Sequence, residues 1–230
     1  MELTEPVELV EILGRLPDAS NTTVLALDAD GVPWVYKPAV GEQPLWDFPW
    51  QTLATREMLT YRVSVALGFE VVPETHPACG PLGDGSAQRF LDEDPDFDPR
   101  PLLRPVPAPV LWPVAVLDLV TNQADRKLGH LLRERGTGRL YAIDNGLTFH
   151  PQDKLRTVLW GFAGARLPGP MSMALRRLSR ALEAGLAEEI ARLLGEPEAN
   201  AVVARVERLL NHPVHPHPPA DRPPVPWPPW

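Results

Sequence analysis

The chain predicts an α+β fold of two lobes, with a sheet-containing N-terminal lobe and a mostly helical C-terminal one. Three observations carry that prediction. β-Branched and aromatic runs, Thr22 to Leu27 and Val32 to Tyr36, flank a turn at Asp28-Ala-Asp30-Gly31 early in the chain. An acidic, proline-rich stretch from Asp92 to Pro109 then interrupts the pattern, with the composition of a linker or lid. From Lys154 onward the apolar spacing is helical, in pieces near 154 to 160, 171 to 184, 186 to 194 and 197 to 210. With 230 residues, 44% hydrophobic and 23% charged, the chain buries a core and fits one unit of two lobes better than two independent domains. The expected division is an N-lobe over 1–91, a C-lobe over 92–211 and a proline-rich disordered tail over 212–230.

The first element is a short amphipathic helix over Thr4 to Leu16, with Val7, Leu9, Val10, Leu13 and Leu16 apolar and Pro17 ending it. After the hairpin, Thr52 to Leu67 reads as a helix stopped by Gly68, with Ala54, Met58, Tyr61 and Val65 on one stripe. Phe69 to Pro73 returns as a strand. A glycine-rich turn, Gly80 to Gly85, leads into a strand over Ser86 to Leu91. Val110 to Val120 is a buried helix whose start is blurred by Pro113. The tail from His212 to Trp230 holds nine prolines, cannot form regular ladders, and is extended or disordered. No internal repeat is present.

Composition excludes several functions. No apolar run approaches the ~20 residues that span a bilayer, and Glu2 and Glu5 stand where a signal peptide would be basic, so a cytoplasmic protein without stable membrane insertion is expected. The net charge of −8 argues against nucleic acid as a partner. Arg176, Arg177 and Arg180 share a helix face and read as a solvated one. One cysteine, Cys79, forms neither an internal disulfide nor a thiolate zinc site by itself. The serine-hydrolase elbow, the zincin helix and the full P-loop are all missing. His212, His215 and His217 are incidental imidazoles of the tail, whose Pro223-Pro-Val-Pro226-Trp segment also has the form of a polyproline II peptide ligand.

Asp125 and Asp144 carry the chemistry. Each lies in a polar loop beside an apolar segment, in Asn122-Gln-Ala-Asp125-Arg-Lys-Leu-Gly-His130 and Ala142-Ile-Asp144-Asn-Gly146, with a short hairpin between. Lys37 sits in the apolar strand Val35-Tyr-Lys37-Pro. Together they form the set that phosphoryl transfer needs: one carboxylate near the nucleophile, one on a metal, and a cation on the phosphates.

The motifs Tyr36-Lys37-Pro38, Gly41-Glu42-x-Pro44-Leu-Trp46-Asp47-Phe48-Pro49, Arg56-Glu57, Asn122-x-Ala-Asp125-Arg126-Lys127-x-Gly-His130, Ile143-Asp144-x-Gly146 and Lys154-Leu-Arg-Thr-Val-Leu-Trp160 extend that set. In this order they resemble a largely uncharacterised family of small bacterial proteins related to phosphatidylinositol 3- and 4-kinases, and more distantly the HipA-type kinases. The resemblance covers roughly residues 10 to 210. It implies a bilobal protein-kinase-like or PI-kinase-like fold and a site for ATP with Mg²⁺, or Mn²⁺ in its place.

Residue by residue, Lys37 matches the strand lysine that touches ATP phosphates, and Glu57 matches the helix acid that orients it, with Glu42 competing for that place. Asp125 resembles the catalytic-loop aspartate that orients the attacking hydroxyl, and Asp144 the metal-binding aspartate. His130 stands five residues after Asp125, where kinases more often carry asparagine; it is a metal candidate beside Asp144, or it orients Asp125 or a water. The phosphate-covering loop falls at Leu16 to Asn21, with Ser20 reaching phosphate, and the adenine meets the backbone of Gln88 to Leu91, which includes Phe90. Trp46, Asp47 and Phe48 form a substrate-facing or lobe-bridging element, or simply pack in the core. The expected function is a kinase acting on a protein side chain or a small hydroxyl compound; the alternative is a pseudokinase that binds nucleotide or a partner without turnover.

Overall fold

The computed structural model describes residues 5–17, 21–103 and 107–230. Five strands close a small barrel in the order β1-β2-β3-β5-β4: β1 (Val7–Arg15), β2 (Val24–Asp28), β3 (Pro33–Pro38), β4 (Thr75–Gly80) and β5 (Gly83–Arg89). Leu9, Val24, Ala26, Tyr36, Ala78 and Ala87 fill it. Since successive strand residues face opposite sides, burying Tyr36 in the barrel turns Lys37 outward, toward the helix that follows.

The predicted β2–β3 hairpin is present. Asp28 organises its turn: the carboxylate accepts the amides of Asp30 (3.0 Å) and Val32 (2.8 Å) and the indole N–H of Trp34 (2.9 Å). The predicted helix over Thr4 to Leu16 is instead strand β1, parallel to β4 and antiparallel to β2. Two irregularities in the β1–β2 register, between Leu9 and Glu11 and between Ile12 and Gly14, break the two-residue alternation and leave an apolar spacing that mimics a helix. Leu9 alone of β1 is buried, whereas Val10 and Leu13 are exposed.

Helix α1 (Leu53–Leu67) ends at Gly68, in the left-handed conformation (φ 74°), as predicted. Its predicted stripe does not hold. Leu59, Val63 and Leu67 are buried while Val65 is exposed, and Arg56, Glu57, Thr60, Arg62 and Ser64 are buried as well. The helix is wedged between the barrel and the C-terminal helices, so nearly its whole circumference is covered and no single stripe defines it. Phe69 to Pro73 is not a strand: Phe69 and Val72 sink into the large helical core, the Val71 carbonyl accepts the Ala142 amide, and pairing begins only at Thr75.

In the C-terminal half, α2 (Trp112–Thr121) starts with Pro in its first turn and is almost wholly buried. The short hairpin β6 (Leu131–Arg133) and β7 (Leu140–Ala142) separates the Asp125 and Asp144 loops. Helices α3 (Gly169–Ala181), α4 (Ala187–Leu193) and α5 (Glu196–Asn211) follow, with Gly185 (φ 117°) making the break between α3 and α4. The predicted helix near 154 to 160 is absent. Its backbone runs alongside the Asp125 loop instead: Arg126 N–H donates to Arg156 O (3.0 Å) and Val158 N–H to Arg126 O (3.1 Å), and only Trp160–Phe162 makes a 3₁₀ turn.

The tail from His212 is extended and seated rather than disordered. Pro224 O accepts the Thr157 amide (3.1 Å) and the Trp160 indole N–H (2.7 Å), Pro229 O accepts the Leu128 amide (2.8 Å), and His215 is buried. With nearly half of its amide donors removed by proline, this tail is held largely through its carbonyls, with His215 N–H donating to Ala165 O (2.9 Å). The Asp92–Pro109 stretch is tied to β6 where described, since Asp94 pairs with Arg133 (2.8 Å). No helix among the described residues is long and apolar enough to cross a membrane.

Candidate active site

Lys37 leaves β3 facing α1 and meets two carboxylates: its ammonium donates to Glu57 Oε1 and, at 3.1 Å, to Asp144 Oδ1. Burial acts to lower the Lys37 pKa, but Glu57 and Asp144 outweigh it and hold it above the ordinary lysine value. Glu57 is buried. Glu42, the competing acid, accepts the Ala54 amide (3.0 Å) and so caps the start of α1.

Asp144 has φ 57°, a left-handed conformation that Asp tolerates better than most side chains. Lys37 is the main cause that holds its carboxyl well below the usual range. Across from it, His130 Nδ1 accepts the Lys127 amide (3.4 Å), which leaves the ring proton on Nε2, and Nε2 faces Asp144 Oδ2 at 3.4 Å. Burial pushes the His130 pKa down to about 4, so the ring is neutral at physiological pH. His130 therefore lies directly against Asp144. Asp125 pairs with Lys127 (3.1 Å), and burial raises its carboxyl above the usual value against that partner. Ligand atoms of Asp125, His130 and Asp144 all lie within 4.8 Å of one another.

Three buried residues that sequence reasoning gave no role hold the two loops in place. Gln123 accepts the Asp125 amide (3.0 Å) and donates to Asp144 O (3.2 Å). Arg126, fully buried, donates to the Asp118 carboxylate (2.9 Å), to Ile143 O (2.6 Å) and to Asn145 Oδ1 (2.7 Å). Asp118 was the legible signal: a lone acid in the apolar run Val116-Leu-Asp118-Leu-Val120 requires a cationic partner when buried.

The other expected residues divide. Ser20 lies outside the described residues; its neighbour Asn21 accepts the Gln43 amide (2.8 Å). Gln88 belongs to the barrel, paired to Val35 and Thr75 through its backbone and donating its side-chain amide to Thr75 Oγ1 (3.0 Å), so its polar groups are used within the sheet. Phe90, part-exposed, stands just beyond β5, with its amide 3.4 Å from Pro33 O. Asp47 bridges the two halves by pairing with Lys154 (3.1 Å), whose ammonium also sits 4.8 Å from the exposed Trp46 ring, while Phe48 is buried and packs edge-on against His150.

A cation on two carboxylates, a third carboxylate within metal-ligand reach, and two loops locked by buried polar groups make a preorganised charged centre. Solved structures share its architecture. The Helicobacter pylori proinflammatory kinase CtkA superposes with a TM-score of 0.58 at 12% identity, over 91% of this chain and 95% of that one. The Golgi casein kinase superposes at 0.57 and 14% identity, over 91% and 72%; with Mn and ADP bound it gives 0.55, over 91% and 73%. These likenesses show a kinase fold. No protein-family model matches the chain. Protein Rv2133c of Mycobacterium tuberculosis is 39% identical over 94% of this chain and 91% of its own length, and the chain belongs to the same family as that protein.

Proposed function

We propose that the chain is an ATP- and divalent-cation-dependent phosphotransferase whose acceptor is a hydroxyl of a protein side chain or a small molecule. The observation that carries this reading is the Lys37–Glu57–Asp144 network with Asp125 and His130 beside it. Glu57 fixes the Lys37 ammonium where it offsets charge on the phosphates. Asp125, its carboxyl raised by burial, accepts the proton of the attacking hydroxyl. The two carboxylates supply the oxygen donors that Mg²⁺ and Mn²⁺ prefer; Asp144 would hold the ion, with Asp125 near and His130 steadying Asp144. When bound, the ion neutralises charge on the transferred group. The Golgi casein kinase with Mn and ADP supports nucleotide and metal use, and the motif order supports kinship with the phosphatidylinositol-kinase-like family.

The test is thermal unfolding with ATP, with and without Mg²⁺ or Mn²⁺, since a ligand bound only by the native state raises the midpoint. A metal-dependent rise is expected in the parent and not in Lys37→Ala or Asp144→Ala. Asp125→Asn should keep the rise and lose roughly 10²- to 10⁴-fold in phosphate transfer or in ATP turnover. No shift at millimolar ATP overturns the proposal.

A further inference from the structure

A second cavity, of about 390 Å³, lies between α5, the end of α2 and the tail. It is lined by none of Lys37, Glu57, Asp125, His130 or Asp144. Its charge comes mainly from Arg205 and Arg208, on successive turns of α5, and His217 joins them from the tail as a further polar group.

Arg205 is only 8% exposed. Its Nη2 donates to the carbonyls of His150 and Pro151, whereas its Nη1 is buried without a hydrogen-bond partner. Neither Arg205 nor Arg208 forms an ion pair among the described residues. A buried cation without a counter-charge is costly, and here the cost is compounded. Burial first, then the like charge of Arg208, depress the Arg205 guanidinium to about 10, with Asp153 acting in the opposite direction. Asp153 is the one acid on the wall, and Arg222 is already on it at 3.1 Å. Arg222 also meets Asp221 at 3.6 Å, so three guanidiniums stand against two carboxylates and one positive charge is left unbalanced. Apart from Asn122, the rest of the lining is apolar and includes Leu155, Trp160, Pro216 and Pro219.

We infer that this cavity binds a phosphate monoester carried on a small apolar body. A phosphate supplies the missing negative charge and acceptor oxygens for the unpartnered Arg205 Nη1, and guanidinium groups bond phosphate oxygens strongly and directionally. The volume falls in the range of small-molecule sites, roughly 300 to 1,000 Å³, and leaves room for a ring beside the phosphate. Such a ligand would also touch the segment that follows the metal loop: Asn122, on the cavity wall, holds it by donating to His150 O (2.8 Å) and Gln152 O (2.6 Å).

Phenyl phosphate is the probe, measured on the full chain by calorimetry and thermal unfolding, with inorganic phosphate, benzoate and phenol beside it. Phenyl phosphate should bind at least ten-fold more tightly than each of the other three. Arg208 is exposed, so Arg208→Glu should leave the fold intact while weakening phenyl phosphate at least ten-fold. Lys37→Ala, which strips the cation from the other cleft, should leave the affinity unchanged. Binding that survives Arg208→Glu, or that is lost in Lys37→Ala, overturns the assignment, as does no heat or midpoint shift at 10 mM, roughly the concentration above which a tie worth three kcal/mol would saturate. Equal binding of inorganic phosphate overturns the apolar-body part, and equal binding of benzoate the phosphate part.

Discussion

Replacing Arg126 by Met keeps most of the side-chain volume and removes the charge, which isolates what the guanidinium does. Arg126 and Asp118 are 0% and 1% exposed in their side chains and 2.9 Å apart. Without Arg126, the Asp118 carboxylate keeps, among the described residues, only Thr157 Oγ1, at 3.2 Å, and Ile143 O and Asn145 Oδ1 lose the Arg126 donor. Breaking a buried pair from one side costs about 3–5 kcal/mol, a large part of the ~5–15 kcal/mol that holds a domain together. At about 2–4 °C per kcal/mol for a chain of this size, the melting temperature should fall by roughly 6–20 °C. Asp118→Asn, which removes the charge but not the shape, should cost less, since Arg126 retains its carbonyl and amide acceptors. The double variant should be less destabilised than the sum of the two singles by about 1–3 kcal/mol. Calorimetry or chemical denaturation measures all three. A melting temperature for Arg126→Met within about 2 °C of the parent, or strict additivity in the double variant, would refute the reasoning that this pair locks the Asp125 loop to the Asp144 loop.

Two further predictions concern the barrel and the tail. A Cβ on Gly85 would lie 2.3 Å from Lys37 O and 2.7 Å from Pro38 Cα, so Gly85→Ala must push β3 away from β5; it should cost about 1–3 kcal/mol and weaken the ATP-induced rise in melting temperature, whereas an unchanged parent-like response would show that Lys37 does not depend on that contact. His215 is buried among Trp112, Trp160 and Phe162, and burial depresses its pKa below 6.5. The unfolded chain therefore binds a proton that the folded one refuses, and stability present above pH 6.5 should drain away as pH falls toward the depressed value. His215→Phe should flatten that part of the melting-temperature profile against pH; an identical slope in both proteins would remove His215 as its source.

The sequence by itself determined the elements whose signals are local. Asp28 to Gly31 specifies a turn through its own side chain, Gly68 stops α1 because it adopts a positive φ cheaply, and the apolar run from Val110 to Val120 reads as a buried helix, found over Trp112–Thr121. The polar loops at Asp125 and Asp144 and the strand lysine were legible because apolar neighbours isolate them. Only the tertiary structure decided the rest. β1 took its form from two partners and two register irregularities, a non-local pairing that no window of Thr4 to Leu16 contains. Residues 154 to 160 gave up a helical pattern because their peptide groups bond the Asp125 loop and the tail. Glu57 rather than Glu42 met Lys37 because the Glu42 carboxylate is spent on the start of α1. Gln88 is fixed within the barrel because its strand lies between two others and its backbone faces both partners. Arg126, Gln123 and Asp118 were invisible as a set for the same reason: a hydrogen bond between residues far apart in the chain has no local pattern until the backbone brings its ends together.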